Sequence, residues 1–66
     1  MSNEENVNRF LKETKDSIEK RGFYQNQFEF FESDWFWMLF SELERQGYDV
    51  ELLDDSECYE IYVTKF

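Results

Sequence analysis

The fold class is decided by the stretch YDVELLDDSECYEIYVTK, residues 48–65. On both sides of its Asp- and Ser-rich centre, apolar side chains recur at every second position, which is the period of a β-strand. The pattern predicts a β-hairpin with strands at about residues 48–53 and 57–65 and a turn that begins at Asp54. Because an isolated hairpin is unstable in water, its apolar face must pack against helices or join the sheet of another chain.

A first helix is predicted over about residues 4–21. Apolar or small side chains recur there at three- and four-residue spacing, as on a helix with one buried stripe. The stripe consists of Val7, Phe10, Leu11, Thr14 and Ile18. Gly22 follows, and glycine readily adopts the left-handed conformation that ends a helix.

A second helix is predicted to end at residue 46, because Gly47 follows it as a second cap glycine. Asn26 stands three residues before Glu29, which is the sequence pattern of a capping box at a helix start. On this interpretation the second helix spans about residues 27–46. Its length is supported by side chains at helical spacing, namely Phe28, Phe31, Trp35, Leu39 and Glu42.

A shorter second helix is the alternative. Residues 28–30 alternate as in a strand, and Ser33 or Asp34 can cap a helix that begins near residue 34. We favour the longer helix for its aromatic spacing and leave the shorter one open. In either case the order of elements predicts an α+β protein, with two antiparallel helices before a C-terminal hairpin in one small domain of residues 1–66.

The second helix carries more aromatic surface than one face can bury. The expected core residues share one stripe on a helical wheel: Trp35, Phe36, Leu39, Phe40 and Leu43. Trp37 and Met38 fall outside this stripe, as does Phe30 if the helix is long. Aromatic residues make up 21% of the chain, and a 66-residue domain struggles to enclose them. We expect Phe30, Trp37 and Met38 to mediate self-association, most simply as a homodimer.

Charge is distributed unevenly along the chain. Residues 1–21 contain equal numbers of acidic and basic side chains, so the net charge of −9 lies entirely in residues 22–66. There, eleven acidic residues accompany only Arg45 and Lys65. Such a chain repels nucleic acid and anionic lipid, and it attracts basic proteins.

The carboxylates that we expect to bind a basic partner are Glu42, Glu44, Asp49, Glu51, Asp54, Asp55, Glu57 and Glu60. Displayed together, they would present a negative surface to a nucleic-acid-binding protein, as a DNA mimic does. This predicts a small acidic regulator or inhibitor that binds protein and not nucleic acid. The alternative is a structural homo-oligomer, or a subunit of a larger assembly, whose acidic residues only keep an aromatic-rich domain in solution.

The composition argues against catalysis. The chain has no histidine to act as a general base, and the single thiol, Cys58, has no histidine to activate it. There is no Gly-rich phosphate loop, and residues 54–57 lack the glycine and spacing of an EF-hand. We therefore expect no enzymatic activity, no bound metal and no cofactor, and we interpret Cys58 as a small buried strand residue.

The N-terminal residues show neither the basic nor the apolar segment of a signal peptide, and no run approaches the length of a membrane span. These features predict a cytoplasmic protein. The lack of Ala, Pro and His, with abundant Phe, Tyr, Asn, Lys and Glu, is typical of AT-rich codons. This composition suggests a low-GC bacterium or one of its phages.

Overall fold

The structure is a computed structural model that describes residues 3–65. Its elements are helix α1 (Asn3–Arg21), strand β1 (Phe23–Phe28), a short 3₁₀ helix (Phe30–Glu32), helix α2 (Ser33–Arg45), strand β2 (Tyr48–Asp54) and strand β3 (Tyr59–Lys65). The α+β class, the two helices and the C-terminal antiparallel hairpin are confirmed. Strand β1 is an addition that the sequence patterns did not predict.

The three strands form one antiparallel sheet in the order β1-β3-β2. β3 therefore lies in the centre, with β1 at one edge and β2 at the other. Val63 of β3 stands opposite Tyr24 of β1 and Val50 of β2, and a bulge interrupts the β2–β3 ladder between Leu52 and Asp54. The hairpin, which is unstable alone, gains a third strand from the same chain.

The prediction of a long second helix over residues 27–46 is wrong. Residues 23–28 form β1, and α2 begins at Ser33, as in the shorter alternative. A helix that began at residue 27 would take Gln27 and Phe28 out of the ladder with β3, whereas β1 pairs with β3 along its whole length. The strand also buries Tyr24 and Phe28, each of which is only 3% exposed.

A capping interaction of the expected kind exists, but three residues further along the chain. The backbone N–H of Glu29 donates to Oε2 of Glu32 at 2.8 Å, at the start of the 3₁₀ helix. Asn26 instead makes contacts within β1. Its Nδ2 donates to the hydroxyl of Tyr24 at 2.7 Å, and its Oδ1 accepts from the N–H of Gln27 at 2.8 Å.

Both predicted helix ends are confirmed. Gly22 and Gly47 have φ angles of 86° and 92°, in the left-handed region that favours glycine. The N–H of Gly22 donates to the carbonyl of Ile18 at 2.8 Å. The turn into β1 is held by a second bond, in which the Ser17 hydroxyl donates to the carbonyl of Phe23 at 2.7 Å.

The core lies between the helices and one face of the sheet. Its buried residues are Val7, Leu11, Tyr24, Phe28, Trp35, Phe36, Leu39, Leu43, Ile61 and Val63. The stripe predicted for α2 is confirmed, with Phe40 partly buried at its margin. Phe31 is 83% exposed, so the helical spacing that included it does not describe its packing. Of the helices within residues 3–65, neither is long and apolar enough to cross a membrane.

The turn between β2 and β3 is longer than the strand pattern predicts. β3 begins at Tyr59 and not at residue 57, so Glu57 and Cys58 lie in the turn. Cys58 is only partly buried, and its interpretation as a buried strand residue is wrong. The physical reason is that Asp54 accepts bonds from Ser56, which curl the chain away from the ladder before β3 starts.

Candidate protein-binding surfaces

The sheet has an open face, opposite the core. Successive side chains of a strand point to opposite faces, so this face carries the residues of β3 that alternate with Ile61 and Val63. The pairing register defines three rows across the open face, which are Phe23, Thr64 and Asp49, then Gln25, Tyr62 and Glu51, then Gln27, Glu60 and Asp54.

Carboxylates occupy the β2 side of the open face. Asp49 and Glu51 are exposed on the edge strand. Glu60, on the central strand, is half-buried, and its Oε2 accepts a hydrogen bond from Nε2 of Gln25 at 2.7 Å. Negative charge therefore runs along β2 and onto β3, whereas the residues of β1 on this face are uncharged.

The β2–β3 turn extends this row of carboxylates. Oδ1 of Asp54 accepts bonds from the backbone N–H of Ser56 at 3.0 Å and from its hydroxyl at 2.8 Å. These bonds hold the pKa of Asp54 below its ordinary value, because they stabilise the ionised carboxylate. Asp55 and Glu57 are exposed in the same turn. Asp54 therefore both shapes the turn and keeps a fixed negative charge there.

A shallow depression of about 370 Å³ lies beside the first half of β2. It is lined by Glu44, Gly47, Tyr48, Asp49 and Val50, so a carboxylate from the last turn of α2 borders it together with one from the edge strand. Seven of the eight predicted carboxylates thus lie around β2 and its turn. We call them the acidic surface: Glu44, Asp49, Glu51, Asp54, Asp55, Glu57 and Glu60.

Glu42 is separated from the acidic surface. Its carboxylate accepts bonds from both Nε and Nη2 of Arg45 and from Nε2 of Gln46. These bonds, Arg45 foremost, lower the pKa of Glu42 to about 2, and the charge of Lys15 on α1 acts in the same direction. Glu42 is therefore ionised but already paired, on the side of α2 that faces α1.

The residues predicted for self-association are all exposed: Phe30 by 42%, Trp37 by 43% and Met38 by 48%. The rings of Phe30 and Trp37 both contact Tyr59, at centroid distances of 4.9 and 5.3 Å, and we call these three residues the aromatic patch. Tyr59 in turn stacks on buried Phe36. Met38 follows Trp37 on α2 and points about 100° away around the helix axis, so it does not extend the patch.

Two parts of these surfaces are missing from the sequence predictions. Tyr59 contacts both Phe30 and Trp37. The only sequence signal for these contacts is the place of Tyr59 in the apolar alternation of β3. On the open face, the rings of Phe23 and Tyr62 stack at 5.7 Å, with the Arg21 guanidinium 5.3 Å from the Phe23 ring. This stack was unpredictable without β1, because Phe23 is one of its residues.

The environment of Cys58 does not activate its thiol as a nucleophile. Partial burial raises the pKa of Cys58, and the surrounding carboxylates, led by Asp54 and Glu29, raise it further. The thiol is therefore protonated at neutral pH, the form that is a poor nucleophile. Within residues 3–65, no three side chains of the types that ligate metals converge on a point where an ion could be held.

Fold and surfaces together describe a small two-layer α+β protein with two candidate contact surfaces, one acidic and one aromatic. No protein-family model, curated protein or solved structure matches this chain. The assignment of function therefore depends on the geometry and charge of these two surfaces alone.

Proposed function

We propose that this protein is a non-enzymatic regulator or inhibitor that binds a basic, nucleic-acid-binding protein through the acidic surface. The observation that carries the proposal is the strand register. It sets Asp49 and Glu51 on the open face of an edge strand, with Asp54 at the end of that strand and Glu60 beside it.

The spacing of these carboxylates favours a partner that binds nucleic acid. Alternate residues of an extended strand lie ~6.8 Å apart on the same face. A strand thus presents a regular row of negative charges, as the phosphates of a nucleic-acid strand do. A protein that neutralises phosphates with Lys and Arg side chains carries the complementary charges.

The charge balance around the surface supports the same partner class. Residues 22–66 contain two basic side chains, Arg45 and Lys65, and Arg45 is bound to Glu42. Little positive charge is left there to neutralise the acidic surface. The resulting field steers basic proteins towards this side of the molecule and repels nucleic acid and anionic membranes. We place this interaction in the cytoplasm of a low-GC bacterium or of a phage-infected cell.

Affinity capture tests the proposal. Tagged protein is incubated with lysate of a low-GC bacterium, and bound proteins are identified with and without competing double-stranded DNA. We expect one basic nucleic-acid-binding protein to be retained, to be displaced by DNA, and to dissociate as salt is raised. Retention of a partner that neither DNA nor salt displaces would contradict the DNA-mimic mechanism.

A pair of matched variants separates the acidic surface from net charge. Asp49→Lys with Glu51→Lys reverses two charges on the surface, and Asp16→Lys with Glu19→Lys reverses two exposed charges on α1. Both variants change the net charge equally. We expect only the first to lose the partner. Equal loss in both would show that overall charge, and not this surface, drives binding.

A structural homo-oligomer is the second candidate function, and the exposure of large apolar side chains favours it. Phe31 is 83% exposed, close in sequence to Phe30 of the aromatic patch, and exposed apolar clusters often mark contact surfaces. Sedimentation analysis tests this candidate. If the protein is a dimer held by the patch, Trp37→Glu gives monomers, whereas Asn8→Glu, which adds the same charge at an exposed position of α1, leaves the dimer intact.

A further inference from the structure

β2 has an unpaired edge. It pairs with β3 on one side, and no strand within residues 3–65 pairs with the other side. The N–H and C=O groups on such an edge are a template for another extended segment. Seven residues, Tyr48–Asp54, are available, which is enough for a full strand partner.

The two edges of the sheet differ in the side chains that flank them. At the β1 edge, the exposed residues of the open face are Gln25 and Gln27, which are uncharged. At the β2 edge they are Asp49 and Glu51. An incoming strand at β2 therefore meets two carboxylates on one face. On the other face it meets Tyr48, Val50 and Leu52, which are only half-buried and offer apolar contact.

A second copy of this chain is a poor occupant of that edge. Antiparallel pairing of β2 with β2 of another molecule would bring Asp49 and Glu51 against the same residues of the copy. Like charges placed opposite each other across strands are destabilising. The acidic side chains thus prevent self-pairing of the edge, in the way that charges protect natural edge strands.

We infer that β2 receives an extended segment of the partner protein as a fourth strand, and that this segment alternates basic with apolar residues. The inference rests on the proposed function and specifies its binding mode. Main-chain hydrogen bonds to β2 supply affinity, and alternate side chains supply specificity. Lys or Arg residues of the segment lie on the open face beside Asp49 and Glu51, and its apolar residues lie beside Val50. The depression bordered by Glu44 receives a side chain at one end of the segment.

The test uses two synthetic peptides as long as β2, seven residues, with identical charge. One alternates Lys with Val, and the other alternates Lys with Pro, which has no backbone N–H to donate to a ladder. Binding and amide hydrogen exchange are followed by NMR on isotope-labelled protein. With the Lys–Val peptide at saturation, we expect exchange at alternate amides of β2 to slow by about tenfold or more, with no change in β1. The Lys–Pro peptide should leave β2 exchange unchanged.

The other outcomes separate the inference from the proposed function. If both peptides bind and neither protects the amides of β2, strand addition is overturned while binding of basic partners by the acidic surface stands. If neither peptide binds at low salt, both are overturned. If β2 becomes protected without peptide as the protein concentration rises, the occupant is a second copy and the inference is wrong.

Discussion

The ring of Tyr59 stacks on the ring of Phe36 at a centroid distance of 4.5 Å and an interplanar angle of 9°. Tyr59 is the first residue of the central strand, and Phe36 is a fully buried residue of α2. The stack therefore joins the helix layer to the sheet. Because Phe30 and Trp37 rest on the same tyrosine, the aromatic patch is supported by the core beneath it.

Truncation of Tyr59 should cost stability. We expect Tyr59→Ala to lower the free energy of unfolding by about 2–4 kcal/mol, because it removes a partly buried ring and leaves a void beside Phe36. Tyr59→Phe keeps the ring and should change stability by less than about 1 kcal/mol. Urea denaturation followed by tryptophan fluorescence measures both. Similar losses in the two variants would show that the hydroxyl, and not the stack, is what matters.

The bond between Ser17 and Phe23 should hold the turn from α1 into β1. Ser17 is 8% exposed, and its hydroxyl both donates to the Phe23 carbonyl and accepts from Nη2 of Arg21 at 2.7 Å. We expect Ser17→Ala to destabilise the protein by about 1–2 kcal/mol, because it leaves that carbonyl without its partner. Ser41→Ala, at an exposed position of α2, is the control and should change stability by less than about 0.5 kcal/mol. Chemical denaturation of the two variants decides whether this bond stabilises the fold.

Tyr24 should make the protein less stable at high pH. Burial raises its pKa, the hydrogen bond from Asn26 lowers it and the charge of Glu13 raises it, so that the net change is from 10.0 to about 12. Below pH 10 the hydroxyl is protonated in both states. Between pH 10 and 12 the unfolded chain releases this proton and the folded chain does not, so stability falls with rising pH. The loss by pH 12 is about 2–3 kcal/mol.

Tyr24→Phe is the control for this pH effect, because it cannot ionise. Its stability should fall less than that of the original protein between pH 9 and pH 12. In Tyr24→Phe, ultraviolet titration at the tyrosinate band should also show one tyrosine fewer that ionises with a midpoint well above pH 10. Parallel stability curves for the two proteins would contradict the assignment to Tyr24.

Glu42 should remain ionised in acid. Its bonds from Arg45 and Gln46 lower its pKa from 4.5 to about 2. Because the pKa of Glu42 is lower in the folded protein than in the unfolded chain, its contribution to stability is present above pH 4.5 and is lost as the pH falls through 2. Carbon-13 NMR of the carboxyl should give a midpoint near 2, and Arg45→Gln should move it up towards the ordinary value. The effect on stability is small, because Arg45, one partner of the pair, is largely exposed to solvent.

Cys58 should react slowly with thiol reagents in the folded protein. Its pKa is raised by partial burial and by the carboxylates of Asp54, Glu29, Glu60 and Glu57. We expect slower modification by a disulfide reagent at pH 8 than in the urea-unfolded chain, and an acceleration by salt that screens the carboxylates. If the rate in the folded protein equals the rate in the unfolded chain and does not depend on salt concentration, then burial and the carboxylates do not affect the thiol.

Several features of the fold and of the surfaces follow from short stretches of sequence. Gly22 and Gly47 end the helices because a residue with positive φ is a local requirement that glycine meets best. The hairpin follows from two-residue alternation, and the buried stripe of α2 follows from helical spacing. The exposure of Trp37 and Met38 was predictable for the same reason, since both lie outside that stripe.

The residues that form the open face, and the contacts between them, were not predictable from the sequence. They depend on the pairing of strands that are far apart in the chain. Gln25 bonds Glu60 across 35 positions, and only the pairing of β1 with β3 brings them together. The same pairing makes residues 23–28 a strand, although Gln27 and Phe28 were predicted as the start of a helix. It also decides which side of the hairpin is left as an edge.

The sequence by itself determined the α+β class, the two helix ends, the hairpin and the location of negative charge in residues 22–66. Only the tertiary structure decided that β1 completes the sheet, that Glu42 lies on the α1 side of α2 near Lys15 and away from the acidic surface, and that Tyr59 supports the aromatic patch. The physical reason is the distance along the chain over which each interaction acts. Backbone conformation at a cap and side-chain periodicity are local, whereas strand pairing and burial depend on which distant residues satisfy each other's hydrogen bonds and apolar surface.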